Sequence, residues 1–422
     1  MPLARTIAGL LLAIAGLCAC DGTRPERPAI GEPARSEDEL SSLQRFAIDR
    51  LLDYRVASGA RAGFVALVAR NGRIVYARTT GFADVENRLP MSLDTRFHVA
   101  SLTKPVTAVA AMILVEEGRL ALEDPVSRYL PAFGAMQVVD RIDEDGEWTT
   151  RPLDRPILIH DLLTFRSGIG GYAETDQPLD RAWRSPDIEA AGLGSLADRI
   201  AKIPRLPLYE SPGSRWRYGW SFDVLARVIE VAAGEPFEAF VEERIFRPLG
   251  MRATAWPDGL PPGATVAKMY SHDGQGTLVR HEVFDDYYGR GWSSGGGGLV
   301  STAPDYLRLA LMLANGGRLD ETRILSERTV AEMTRLHVPG GVLADMDIEG
   351  LGWGLGLCVV ADADAAIMPA RNGDFWWSGR FGTQFWISPE ADTVVVVMQQ
   401  TEAGPYSGRP ITPSLVQWLA MP

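Results

Sequence analysis

Residues 97–118 read FHVASLTKPVTAVAAMILVEEG and carry the pattern that decides the fold. Apolar residues recur at helical spacing from Ser101 onward, and Gly118 is a typical helix stop. Proline is tolerated only in the first turn of a helix, so Pro105 predicts that the helix begins close to Ser101. The serine therefore lies at a helix N-terminus, where free N–H groups and a partial positive charge favour a developing oxyanion.

Lys104 lies three residues after Ser101, so the two side chains share one face of the predicted helix. The chain has 42 lysine and arginine residues, and only three are lysines: Lys104, Lys202 and Lys268. A lysine in so arginine-rich a chain is a candidate for proton transfer, because arginine keeps its proton in proteins. Ser101 is thus a candidate nucleophile with Lys104 beside it. The alternative is a serine N-cap near a solvated lysine.

The composition is that of an ordinary globular enzyme. The 422 residues suffice for one large or two modest domains, and 46% are hydrophobic and 23% charged. The net charge of −12 argues against a phosphate-binding surface, so no nucleic-acid partner is expected.

The N-terminal residues 1–20 are typical of an export signal. Their apolar stretch, residues 6–17, is too short to span a bilayer. Residues 17–20, LCAC, resemble a bacterial lipobox, which predicts lipidation of Cys20 and a periplasmic or cell-envelope lipoprotein anchored to the membrane. The alternatives are an ordinary cleaved signal or a short anchor. Only Cys20 and Cys358 would remain after cleavage, so no disulfide framework is expected.

Short apolar-rich stretches near both chain ends predict strands, at 64–68, 74–78, 352–360, 375–378, 383–388 and 393–399. The first two are joined at Asn71-Gly72, a favoured hairpin turn. Helical patterns occur at 38–57, 160–165, 196–203, 221–233 and 413–419. These elements predict an α/β fold of the α+β type. One antiparallel sheet, built from both chain ends and flanked by helices, would carry an inserted, mainly helical region.

The expected domain organisation follows from that pattern. A proline-rich tether covers residues 21–42, and the folded hydrolase domain covers 43–421. Within that domain the α/β part is expected at about 43–119 and 299–421, and the helical part, with loops and helices only, at about 120–298.

Residues 212–218, PGSRWRY, immediately precede the predicted helix 221–233. A tyrosine at such a loop–helix junction can point into a cleft, and a nearby ammonium favours its phenolate. Tyr218 could then take the serine proton or protonate a leaving group. The alternative is a half-buried loop tyrosine.

Residues 375–380, FWWSGR, form a predicted strand that ends in small residues. A hydroxyl followed by glycine lets a substrate lie along the strand edge and meet a backbone N–H. Trp377, Ser378, Gly379 and Arg380 are therefore candidate substrate-binding residues, and the alternative is an edge strand with a bulge. Three further tryptophans are candidates for an acyl pocket or for the core: Trp353, Trp376 and Trp386.

Together these segments resemble the serine β-lactamase and penicillin-binding-protein superfamily, whose motifs include Ser-x-x-Lys and Lys-Thr-Gly. The resemblance extends over about residues 45–420 and looks most like class C-like members, especially family VIII carboxylesterases. It implies that Ser101 is the nucleophile and that Lys104 and Tyr218 transfer its proton. It also implies an oxyanion hole made by the N–H groups of Ser101 and Arg380, with no cofactor and no metal.

Two departures from a β-lactamase bear on the substrate. Trp220 stands where a Tyr-x-Asn motif has asparagine, and Trp377 stands where Lys-Thr-Gly has lysine. A tryptophan offers an apolar wall in place of a cation, which favours a carboxylesterase acting on small esters. The alternatives are a β-lactamase or D-alanyl-D-alanine carboxypeptidase acting on a lactam or peptide, and a lipoprotein that binds cell-wall peptides with weak turnover. Phe165 stands where many relatives carry histidine.

A rival nucleophile occurs in residues 291–295, GWSSG, which match the Gly-x-Ser-x-Gly elbow of α/β-hydrolases, with His337 downstream. An elbow needs a buried strand before the serine and a helix after it. Here FDDYYGR precedes the motif and four glycines follow its serines, so the elbow is disfavoured. The histidines show no His-Glu-x-x-His spacing, so a zinc site is not expected.

Replacing Cys20 tests the predicted anchor. Cys20→Ser should move the protein out of the detergent phase in Triton X-114 partitioning and abolish its labelling with an alkynyl fatty acid. Each buried CH₂ of a lipid chain contributes about 0.8 kcal/mol, so the loss should be nearly complete. Cys18→Ser is the matched control and should stay anchored. A Cys20→Ser protein that remains in the membrane fraction would contradict lipidation at this residue.

Overall fold

The computed structural model describes residues 39–171, 177–183, 194–281, 291–340, 349–366, 368–402 and 411–422. Its centre is an antiparallel sheet of eight strands, in the order β12-β13-β14-β15-β16-β1-β2-β3. These strands are β1 Gly63–Arg70, β2 Arg73–Asp84, β3 Leu89–Pro90, β12 Leu351–Trp353, β13 Cys358–Val360, β14 Phe375–Ser378, β15 Gln384–Ser388 and β16 Thr393–Met398. The remaining strands form four two-stranded pairs: β4 Phe97–His98 with β9 Val300–Ser301, β5 Gln137–Ile142 with β6 Trp148–Pro152, β7 Tyr270–His272 with β8 Leu278–Arg280, and β10 Arg318–Leu319 with β11 Thr322–Arg323.

The described helices are α1 Ser42–Ala57, α2 Thr103–Glu116, α3 Ile159–Leu163, α4 Pro178–Trp183, α5 Leu196–Ile200, α6 Ser221–Ala233, α7 Phe237–Val241, α8 Arg247–Leu249, α9 Ala303–Ala314, α10 Glu327–Thr334 and α11 Ile411–Ala420. A π-helical turn, Glu242–Phe246, joins α7 to α8. A 3₁₀ turn, Ala100–Leu102, leads directly into α2, as the position of Pro105 predicts.

The two ends of the chain meet in the middle of the sheet. Strand β1 pairs with β16 in antiparallel register, from Val65 opposite Met398 to Arg70 opposite Thr393. All eight residues of β1 and all six of β16 are buried, so these two strands lie at the core of the sheet. The predicted fold class, one antiparallel sheet made by both ends with helices around it, is confirmed.

Helices cover both faces of the sheet. On one face Phe385 of β15 packs against Tyr306 of α9, with ring centroids 5.5 Å apart. Side chains alternate along a strand, so Gln384 and Trp386 point to the other face. There the Ser414 hydroxyl of α11 donates to the side-chain oxygen Oε1 of Gln384 at 3.4 Å. Gln44 Nε2 of α1 donates to the Leu419 carbonyl of α11 at 3.0 Å, so α1 and α11 lie together on the face opposite to α9.

Glycines explain two details of this sheet. Asn71 and Gly72 adopt positive φ angles of 47° and 76° in the β1–β2 turn, as the Asn-Gly pair predicts. The prediction of one continuous strand at 352–360 is wrong. The chain turns within this range and forms the hairpin β12–β13. Gly356 has a φ of 81° in that turn, and a Cβ on it would lie 2.4 Å from Ala108.

The segment predicted to contain only loops and helices also differs. It includes the hairpins β5–β6 and β7–β8. Exposed residues make up most of β5 and β6, so these strands lack the apolar alternation by which a strand is recognised in a sequence. Helix α6 is found as predicted, and Gly234 ends it with a φ of 72°.

The predicted signal, the lipidation site Cys20 and nearly all of the predicted tether lie outside the described residues. Among the residues that are described, no helix is both long enough and apolar enough to cross a bilayer. Cys358 is buried and forms no disulfide with a described residue.

Trp386 tests the energetics of the face covered by α11. Its ring stacks on Trp376 with centroids 5.2 Å apart, and its Nε1 donates to buried Asp374 at 2.9 Å. Trp386→Phe should lower the free energy of unfolding by about 1–3 kcal/mol, because the carboxyl loses a donor. Urea unfolding followed by circular dichroism measures this loss. Kinetic constants per folded molecule should not change, and a large loss of turnover with normal stability would contradict this placement.

Candidate active site

Ser101 lies in the 3₁₀ turn that precedes α2. Ala100, the residue before it, has a φ of 48°, in the left-handed region that costs a non-glycine residue of order 1 kcal/mol. Hydrogen bonds hold the turn in this conformation: Thr103 Oγ1 donates to the Ala100 carbonyl at 2.7 Å, and the Leu299 N–H donates to Thr103 Oγ1 at 3.1 Å. The turn places the serine at the N-terminal end of α2, where backbone N–H groups are available.

Lys104 has no exposed surface. Its Nζ donates to Ser101 Oγ at 3.1 Å and to the Gly296 carbonyl oxygen at 2.6 Å. The same ammonium lies 4.6 Å from the centroid of the Tyr218 ring. A buried cation needs such partners, because isolation from water is costly for a charge. The predicted proximity of Lys104 to Ser101 is thus present in the structure.

Tyr218 reaches the same oxygen from another part of the chain. Its hydroxyl donates to Ser101 Oγ at 2.8 Å. The loop that carries it is fixed by backbone bonds from the Arg217 N–H to the Phe165 carbonyl, 2.7 Å, and from the Trp220 N–H to the Gly170 carbonyl, 3.0 Å. Ser101 Oγ therefore contacts an amine and a phenol at once, which is the geometry that proton transfer to and from a nucleophile needs.

A wall of aromatic rings surrounds the phenol. Ring centroids of Phe165, Trp377 and Trp216 lie 4.7, 5.7 and 5.9 Å from that of Tyr218. Trp353 packs edge-on against Trp377 with centroids 4.6 Å apart. Of the three tryptophans considered for an acyl pocket, Trp353 thus belongs to this wall, whereas Trp376 and Trp386 stack together, with Trp386 pointing to the opposite face of the sheet.

The end of β14 lies close to the 3₁₀ turn that carries Ser101. The Gly379 N–H donates to the Thr383 carbonyl at 2.8 Å, and Thr383 Oγ1 donates to the Val99 carbonyl at 3.1 Å. A Cβ on Gly379 would lie 2.3 Å from that carbonyl oxygen, so only glycine permits this approach. Ser378 and Arg380 flank it, which places the predicted substrate-binding strand end beside the turn of Ser101.

Two contacts bear on the binding of charged or polar substrate groups. The Arg380 guanidinium forms an ion pair with Glu402 at 2.6 Å, which partly offsets its charge. Trp220 is 4% exposed and packs on Gly171, where a Cβ would lie 2.0 Å from the indole. The position of the absent asparagine is therefore filled by a packed ring.

The elbow alternative is not supported by the residues that the structure describes. The serine of the elbow motif is Ser293, and its neighbour Ser294 donates its hydroxyl to Asp223 at 2.6 Å. His337 Nδ1 lies 2.9 Å from His160 Nε2, and its Nε2 lies 3.0 Å from the Glu332 carbonyl. Burial lowers the pKa of both histidines. His337 is thus engaged in a histidine pair, not with a serine.

Sequence reasoning missed Asp223 and Gly296. Asp223 is fully buried in α6, and burial raises the pKa of its carboxyl although Ser294 and the Lys104 charge lower it. The sequence gives no signal for this role, because Asp223 shares a helix face with Arg227 and Glu230 and so resembles a surface position. Within the described ranges, no cluster of three or more histidine, cysteine or acidic residues could hold a metal ion.

Comparisons with known proteins agree with this geometry. The family model described as Beta-lactamase matches residues 48–412. Protein Rv1367c of Mycobacterium tuberculosis is 34% identical over 360 residues, which cover 81% of this chain and 86% of that protein. Esterase EstB of Burkholderia gladioli is 32% identical over 388 residues, 87% of this chain and 93% of EstB. The solved structure of EstCE1, a hydrolase with promiscuous acyltransferase activity, has 28% identity and a TM-score of 0.76, covering 90% of this chain and 98% of EstCE1.

Lys104→Arg and Tyr218→Phe test the two contacts of Ser101 Oγ. Lys104→Arg keeps a positive charge but cannot accept a proton, so kcat should fall by about 10²–10⁴-fold, nearly as far as in Lys104→Ala. Tyr218→Phe removes the phenol and should cause a loss in the same range. Ester hydrolysis with matched thermal melts measures both. Near-normal turnover of Lys104→Arg would mean that only the charge is needed.

Proposed function

The chain belongs to the Beta-lactamase family and is a serine hydrolase, and from that premise we propose that it is a carboxylesterase that cleaves small esters through an acyl-enzyme at Ser101. The observation that carries the proposal is the double contact of Ser101 Oγ with Lys104 Nζ and the Tyr218 hydroxyl. These contacts supply a nucleophile together with groups that can move its proton.

The proposed reaction begins when Ser101 Oγ attacks the ester carbonyl carbon while its proton passes to the Lys104–Tyr218 pair. The electrons of the carbonyl bond move to oxygen, which accepts hydrogen bonds from the N–H groups of Ser101 and Arg380. The bond to the alcohol oxygen then breaks, the pair returns the proton to that oxygen, and the alcohol leaves. Water repeats the sequence on the acyl-enzyme and releases the carboxylic acid and free serine.

The substrate class is argued from the walls of the site. Trp377 replaces a cation that would bind a carboxylate, and Glu402 offsets the charge of Arg380. Aromatic rings favour uncharged, apolar groups. An alcohol is also a better leaving group than an amine and needs less protonation, so a lysine–tyrosine pair suffices for ester cleavage.

Relatives lend further support. EstB is named an esterase and EstCE1 a hydrolase with acyltransferase activity. We propose that this chain shares the esterase chemistry. A substrate panel separates this proposal from its alternatives. These are hydrolysis of a β-lactam, hydrolysis of a D-alanyl-D-alanine peptide, and binding of cell-wall peptides with weak turnover.

We also propose that the enzyme works in the cell envelope, held at a membrane through lipidated Cys20. This proposal rests on the N-terminal sequence alone, which combines a short apolar stretch with LCAC at residues 17–20.

A substrate panel tests the esterase proposal. The protein should cleave p-nitrophenyl acetate or butyrate with a kcat/KM far above that for nitrocefin or a D-Ala-D-Ala peptide, and rates should decline for long acyl chains. Ser101→Ala should lower ester turnover by at least about 10³-fold, whereas Ser293→Ala is the matched control and should remain active. Trp377→Lys should shift the ratio toward lactams, because it adds a cation. A higher kcat/KM for nitrocefin would overturn the esterase assignment in favour of a β-lactamase.

A further inference from the structure

Asp223 is a buried carboxyl that the reaction scheme above does not use. It lies in α6, five residues after Tyr218, and has no exposed surface. Its Oδ1 accepts hydrogen bonds from Ser294 Oγ at 2.6 Å and from the Gly296 N–H at 3.1 Å. A buried carboxyl is costly unless it has such donors, so its complete burial points to a function.

Gly296 joins this carboxyl to the proposed catalytic lysine. Its N–H donates to Asp223, and its carbonyl accepts from Lys104 Nζ at 2.6 Å. The neighbouring Gly295 carbonyl accepts from Thr107 Oγ1 of α2 at 2.7 Å. A Cβ on Gly296 would lie 2.4 Å from Asp223 Oδ2, so the glycine is needed for this contact. The backbone of Gly296 therefore connects Asp223 to the Lys104 amine beside Ser101.

The charges around the carboxyl are few and buried. Lys104 of α2 and Arg199 of α5 are the cations that interact electrostatically with Asp223. The Arg199 guanidinium lies 4.4 Å from the Trp292 ring, and burial lowers the pKa of Arg199 while the Asp223 charge raises it. Lys104 also faces Ser101 and the Tyr218 ring. Asp223 therefore lies in a buried group of charged side chains that includes Lys104.

We propose that Asp223 is a positioning residue for the nucleophile: through Gly296 it fixes the carbonyl that holds Lys104 Nζ against Ser101. This inference rests on the proposed function, since it assigns a role within the same acyl-enzyme chemistry. Ser294 supports it by donating to the carboxyl, so the second serine of GWSSG has a structural partner instead of a nucleophilic role.

The test compares kcat and KM for p-nitrophenyl butyrate, per folded molecule, in the wild type and in Asp223→Asn, with Ser101→Ala as the blank. Loss of positioning should lower kcat by about 10-fold or more with little change in KM. Ser294→Ala, which removes one donor to the Asp223 carboxyl, should lower kcat by less.

Asp374→Asn is the matched control. Burial raises the pKa of Asp374 also, but its partners are Trp386 Nε1 and the Arg371 N–H. It should lower the free energy of unfolding without lowering kcat per folded molecule. A kcat of Asp223→Asn within about two-fold of the wild type per folded molecule, or a loss of kcat/KM that lies entirely in KM, would overturn the inference.

A wild type that cleaves no p-nitrophenyl ester would instead refute the proposed function. The inference on Asp223 would then be decided by the rate at which a fluorophosphonate labels Ser101 in the same variants, which should fall by about 10-fold or more in Asp223→Asn and stay unchanged in Asp374→Asn.

Discussion

The hydrogen bond from buried Lys104 to the Gly296 carbonyl is the contact around which the site is assembled, because an ammonium without exposed surface must find polar partners inside the protein. Here a backbone carbonyl, that of Gly296, is such a partner. A run of glycines lets the loop after residue 293 lie directly on α2 and α6, and any side chain at Gly296 would collide with Asp223. The glycines of this loop thus allow the Gly296 carbonyl to reach Lys104 Nζ.

On the other side of Ser101, the central sheet brings the end of β14 close to the turn that carries this serine. Pairing of β1 with β16 joins the two ends of the chain, and β14 follows two strands further along the sheet. The end of β14 can then reach the Val99 carbonyl, an approach that Gly379 alone permits. Ser101 consequently lies between a helix N-terminus, a strand end and the loop of Tyr218. Three segments that are distant in the sequence are therefore needed to surround Ser101 Oγ.

Much of this arrangement could be predicted from the sequence, because its signals are local. The Ser-x-x-Lys spacing and Pro105 define the start of α2, and Asn71-Gly72 defines a hairpin. The double contact of Ser101 with Lys104 and Tyr218 was expected from the resemblance to serine β-lactamases and is present.

Other features depend on contacts between distant segments and left no local signal. Asp223 looks like a surface residue of a helix until the loop at Gly296 covers it. The pairing of Arg380 with Glu402 joins residues on either side of β15 and β16. Hairpin β5–β6 has mostly exposed residues, so no apolar alternation marks it. The turn between β12 and β13 lies within an apolar stretch, so no polar turn residue marks it in the sequence.

Covalent labelling with a fluorophosphonate, followed by intact-mass and peptide mass spectrometry, tests the central claim most directly. A fluorophosphonate reacts with a serine only when neighbouring groups activate it. The account predicts one adduct per chain, on the peptide that contains Ser101, with labelling strongly slowed in Lys104→Arg and unchanged in Ser293→Ala. An adduct on Ser293, or a folded protein that takes up no label, would contradict it.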